Sequence, residues 1–238
     1  MMRSPLLVCA LLALASPARA GSDLFACRVI VTGTDMRSRP EALAQCVRQV
    51  VVKVTGKPSL ADDARTTAIA QRADALVEDF VYLDRMSGIP NHDEQGTRDR
   101  PFDFVGHVDE ARITAALESA GLRPWLARPK LVASVSIRAR DGATFWMTPD
   151  DDDSERHRQS VLAAADRFGM RVAIPAQPGA APVSLQGTLA WSDNDFGWNA
   201  DWKLVQDGVE RGRWTVRGVS FDEAYRSGVG GAAERLSP

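Results

Sequence analysis

The chain has 238 residues, 25% of them charged and 45% hydrophobic, with a formal net charge of −2. This is the composition of a globular protein with room for one large or two small cores, and it excludes a disordered or fibrous chain. The near-neutral balance also argues against nucleic acid as a partner, because neutralising phosphates takes an excess of Lys and Arg on one face.

Residues 1–20 read as a cleavable secretory leader. Arg3 supplies the basic start, Leu6 to Ala15 the apolar stretch and Ala18-Arg19-Ala20 the small-x-small pattern, so cleavage is expected between Ala20 and Gly21. The apolar run is too short to span a bilayer, and no later stretch approaches 18 uninterrupted apolar residues. A soluble periplasmic or secreted product without a transmembrane segment is therefore expected. Cys9 leaves with the leader, and Val8 before it does not suit lipidation. The remaining pair, Cys27 and Cys46, reads as a disulfide in an oxidising compartment, with two buried free thiols as the alternative.

Phe25 to Val31 alternates as a strand. Ser38-Arg39-Pro40-Glu41 reads as a capping box opening a helix, whose apolar residues Leu43, Cys46 or Val47, Val50 and Val54 recur at helical spacing until Gly56 and Pro58 stop it. The Cys27–Cys46 bridge would then staple the first strand to the first helix. Asp62 to Ala75 is expected as one Ala-rich helix, followed by a strand over 77–83. Ser87 to Pro101 is a polar stretch without periodicity, hence a long loop to a strand over 102–108. Asp109 caps a helix carrying Ile113, Leu117 and Ala120, and Gly121 ends it.

Arg123 to Pro129 is a Pro-bracketed connection, where a domain boundary is expected. Beyond it come a strand through Leu131 and Ile137, a hairpin turn at Asp141-Gly142, a helix burying Val161, Ala165 and Phe168, and a short strand over 171–174. After a Pro-rich linker, segments 183–191, 197–205 and 212–219 form an antiparallel meander. A second capping box, Ser220 with Glu223, starts the closing helix. The whole describes an α/β (α+β) protein of two small sheet-and-helix units, residues 21–128 and 129–238.

Two constellations stand out chemically. His92-Asp93-Glu94, with Asp99 behind and His107 reachable across the hairpin, concentrates metal-ligating or acid–base groups in one loop, although a zinc site wants three or four ligands and carboxylate-rich loops are usually only solvated. Trp191, Trp198, Trp202 and Trp214 fall in the meander, where they either form a platform for a glycan or peptide or, as the apolar stripe of the closing helix favours, fill the core. No phosphate loop, nucleophile elbow, Cys-x-x-Cys, His-Glu-x-x-His or dinucleotide fingerprint is present, so no cofactor is expected.

The strings Val29–Thr34, Val50–Gly56, Ile89–Pro101, Gly187–Asp193 and Trp214–Ala224 resemble an uncharacterised bacterial envelope family, domain of unknown function 2066. The resemblance implies an exported protein of unknown activity, supplies no catalytic residues, and suggests that the 174–183 stretch is shortened by a helical segment. The reading that follows is a non-enzymatic periplasmic binding or accessory protein contacting another envelope component. Its alternatives are an envelope hydrolase or metal-dependent enzyme using the His92 loop, and a glycan-binding module using the C-terminal tryptophans.

Overall fold

The computed structural model describes residues 23–88 and 100–238. Two sheets carry the architecture, one of three strands in the order β1-β3-β2 and one of six. In the first sheet β1 (Ala26–Thr32) and β2 (Val77–Asp84) both pair antiparallel with the central β3 (Pro101–Val108). One face of this sheet packs on α1 (Arg39–Thr55), through Cys27, Val29 and Phe104 against Leu43, Cys46, Val47 and Val50. The opposite face leaves Ile30, Val81 and Leu83 exposed. The Cys27–Cys46 disulfide joins β1 to α1, with the Cα atoms 5.2 Å apart.

Local rules explain most boundaries, with two corrections. Gly56 ends α1 at φ 70°, a left-handed cap that its missing Cβ allows. At the other end, the capping box expected at Ser38 does not form. Ser38 itself has helical dihedrals, so its hydroxyl turns back to donate to the Asp35 carbonyl, while Asp35 Oδ1 accepts from the backbone N–H groups of Arg37 and Ser38. The helix expected over 62–75 is two shorter ones, α2 (Ala64–Ala70), capped by Asp63, and α3 (Ala73–Leu76). A bend at Gln71–Arg72 turns Ile69 and Ala70 as well as Ala73 and Leu76 into the core beneath α1. Asp109 caps α4 (Glu110–Ser119) by accepting from Arg112 N, as the sequence indicates.

The second sheet runs β5-β4-β7-β8-β9, with β6 also on β4. β4 (Lys130–Arg138) pairs antiparallel with β5 (Thr144–Trp146) and parallel with both β6 (Arg171–Ala173) and β7 (Val183–Ser192). The meander continues through β8 (Gly197–Gln206) and β9 (Val209–Val219). The last turn has positive φ at both Asp207 and Gly208, the primed geometry that matches strand twist. α5 (Glu155–Arg167) and α6 (Phe221–Leu236) cover one face, over Leu131, Val135, Leu185, Leu189 and Leu204. Three glycines inside α6 give up helix propensity because aromatic rings press on them. A Cβ on Gly228 would lie 2.6 Å from Trp202, on Gly230 2.9 Å from Phe168 and on Gly231 2.5 Å from Trp214.

The connection after Gly121 is a locked seam. Trp125 N donates to Val54 O at 2.8 Å, and Ser59 bonds Glu234 of α6 through both its N–H and its hydroxyl. Arg128, only 6% exposed and without a carboxylate partner among the described residues, donates to the carbonyls of Trp125, Phe168, Gly169 and Lys53. Three of these carbonyls belong to the C-terminal ends of α1 and α5, where the helix dipoles favour a cation. Burial lowers the Arg128 pKa to about 10. Val52 and Trp125 pack in the core of the second sheet, so α1 serves both.

Candidate functional site

At one end of the second sheet, the carboxyl ends of the parallel strands β4 and β7 meet the β4–β5 hairpin and the starts of α5 and α6. Open α/β sheets hold ligands at such crevices outside the strand ends. Here they enclose a cleft of about 510 Å³. Half-buried Phe145, Trp191, Trp198 and Phe221 wall it, and buried His157 forms its floor.

The rings lock one another edge to face. His157 lies 4.9 Å from Phe221, 5.7 Å from Phe145 and 6.2 Å from Trp198, and Trp198 lies 6.0 Å from Trp191. Such contacts fix ring orientation beyond simple burial. His157 Nδ1 shares a 2.6 Å hydrogen bond with the hydroxyl of Tyr225, which is fully buried beneath it. Burial, with the nearby charge of Arg156 adding to it, lowers the His157 pKa to about 4; burial likewise raises that of the Tyr225 phenol. Both groups are therefore neutral at pH 7 and form a rigid polar pair.

Charge enters at the lips. Arg140 and Asp141 lie on the hairpin lip, Asp153 and Arg156 on the helix lip. Arg140 sits over the Trp191 ring at 5.2 Å and bonds Asp193 at 3.3 Å, and Asp193 also accepts from Trp191 Nε1 at 2.7 Å. Arg156 sits over Phe221 at 5.5 Å.

The residues singled out from sequence are distributed differently from either reading of the tryptophans. The four do not form one platform. Trp202 is 1% exposed, sandwiched between Gly187 of β7 and Gly228, and Trp214 packs on α6 with its Nε1 donating to Ser227 O, while Trp191 and Trp198 wall the cleft. His92, Asp93, Glu94 and Asp99 lie outside the described residues, as do the leader and Ala20-Gly21. His107 sits near the far end of β3, about 20 Å at ordinary strand rise from the start of that strand at Pro101, and its Nδ1 lies 3.5 Å from Asp23. Among the described residues no group of three or more His, Cys, Asp or Glu side chains is placed to hold a metal ion, and no helix is long and apolar enough to cross a membrane. The sequence reading missed Phe145, Phe221, His157 and the arginines. The usable signal was that the Asp141-Gly142 turn and the β7–β8 turn lie at one end once β4 and β7 are parallel.

Fold and cleft together define an α+β protein with an aromatic ligand-type cleft. In sequence, residues 18–126, the stretch holding the first sheet and its helices, match a domain of unknown function, DUF8605. No curated protein matches the chain at a significant level. This corrects the resemblance to domain of unknown function 2066. Two of the strings that suggested it follow from packing and turn geometry common to α/β chains. Val50–Gly56 is a buried helix end with its left-handed glycine cap, and Trp214–Ala224 is a strand running into a Ser-capped helix. The shortened 174–183 stretch inferred from that family falls with it.

Proposed function

We propose that the protein is exported by its leader, cleaved after Ala20, and acts in the periplasm as a non-enzymatic binding or accessory protein that takes a ligand in the aromatic cleft of its second sheet. The cleft carries this reading. It has the size, concavity and predominantly aromatic walls of a small-molecule site, with a few polar groups converging on it. Its histidine supports binding over catalysis, since burial that lowers its pKa to about 4 leaves a weak proton acceptor, far from the value near the working pH that suits a general base.

The test has two parts. Intact mass of protein recovered from the periplasm is expected to begin at Gly21; retention of Met1 in the cytoplasm contradicts export. Native mass spectrometry against a metabolite library, with the same mixtures assayed for products, should find a compound held without being converted. Steady turnover of a bound compound would move the hydrolase reading to first place.

A further inference from the structure

Charge at the cleft selects among ligand classes. Each lip carries one base and one acid, Arg140 beside Asp141 and Arg156 near Asp153. An anion would meet two aspartates as readily as two arginines. A zwitterion needs its two poles on opposite sides, and here the signs are mixed on both. A quaternary ammonium would seek the ring faces, but Arg140 over Trp191 and Arg156 over Phe221 already sit on two of them.

What the lips offer is donors and acceptors side by side. Arginine only donates and ionised aspartate only accepts, so both kinds are satisfied together by a group that does both, and a hydroxyl is that group. Arg156 makes no ion pair and Asp153 accepts no hydrogen bond among the described residues, which leaves them available. Arg140 and Trp191 are pre-positioned through Asp193, which lowers the cost of ordering them around a ligand. Between the lips, aromatic walls suit a ring with apolar C–H faces and a hydroxylated edge. We propose that the cleft binds a neutral saccharide, its ring against Trp198 and Phe145 beside Trp191 and its hydroxyls bonded to the Arg140, Asp141, Asp153 and Arg156 lips. The inference rests on the binding reading above and names the ligand class of that same site.

The full mature chain would be titrated by calorimetry, into the millimolar range, with four probe sets: neutral mono- and disaccharides, uronic acids, free amino acids with dipeptides, and choline. At least one neutral saccharide is expected to bind saturably, with affinity about tenfold weaker in Arg156→Ala and in Asp153→Ala, the order expected for losing one charge-assisted hydrogen bond. Both side chains are exposed, so unchanged melting temperatures will show the variants folded. Binding confined to the amino acids and dipeptides, the uronic acids or choline overturns the saccharide class and leaves the binding cleft standing. Saccharide binding unaffected by both variants overturns its placement in this cleft. Failure of all four sets to bind overturns the saccharide assignment and removes the support for the binding reading.

Discussion

Gly228→Ala sets helix propensity directly against packing. In an open helix this change stabilises by up to about 1 kcal/mol. Here the new Cβ would lie 2.6 Å from Cε2 and Cζ2 of Trp202 and 2.8 Å from Cδ2. The ring has no room to retreat, because a Cβ on Gly187 at its other side would be only 2.3 Å from Cζ3. Relief requires α6 to lift from the sheet, and overpacking of this kind costs about 1–3 kcal/mol. At the upper end of that range, set by the trapped ring, the net loss is about 2 kcal/mol after the propensity gain. For a chain of this size it lowers the melting temperature by roughly 4–8 °C. Urea and thermal unfolding followed by circular dichroism would measure it. In a double-mutant cycle, Trp202→Phe should recover part of the loss, with a coupling of at least about 0.5 kcal/mol. A rise in melting temperature on Gly228→Ala, or strict additivity with Trp202→Phe, would refute the sandwich as the reason for the glycine.

Three further outcomes are expected. The lowered pKa of His157, about 4 against 6.5, means the unfolded chain binds its proton first as pH falls. Stability should then drop by roughly 1.5 kcal/mol between pH 6.5 and 5 from this residue, and His157→Gln should flatten that slope in urea titrations. Reducing the Cys27–Cys46 bridge opens a loop with a sequence separation of 19 and should cost on the order of 3 kcal/mol. Two alkylated cysteines in unreduced, unfolded protein would contradict the bridge. Arg128→Lys keeps the charge but not the planar fork that serves four carbonyls, and should lower stability by about 2–3 kcal/mol in urea, whereas a change under 0.5 kcal/mol would show that the seam does not depend on it.

Elements governed by local chemistry were legible in the sequence. The Asp109 and Ser220 caps and the glycine stops at Gly56 and Gly121 each depend on a few neighbouring residues and stand where the sequence puts them. The Ser38 box failed because Asp35, three residues earlier, accepts from the Ser38 N–H that Glu41 would have taken. What could not be read was long-range. Parallel pairing of β4 with β7 joins segments about fifty residues apart, and it sets Trp191 beside the hairpin that carries Phe145 at the end where α5 and α6 start. Arg128 was equally hidden, since a buried arginine neutralised by helix ends leaves no acidic partner to find in the sequence.

The central claim is that the end of the second sheet is where this protein binds its ligand. The side-chain indole N–H resonances of the six tryptophans provide the most direct measurement. With ¹⁵N-labelled protein titrated with a saccharide from the neutral set, the signals of Trp191 and Trp198, assigned by Trp→Phe substitution, should move together and saturate, while Trp125, Trp146, Trp202 and Trp214 stay in place. Saturable shifts centred on Trp146, or a titration in which Trp191 and Trp198 remain fixed while the saccharide binds, would contradict the account.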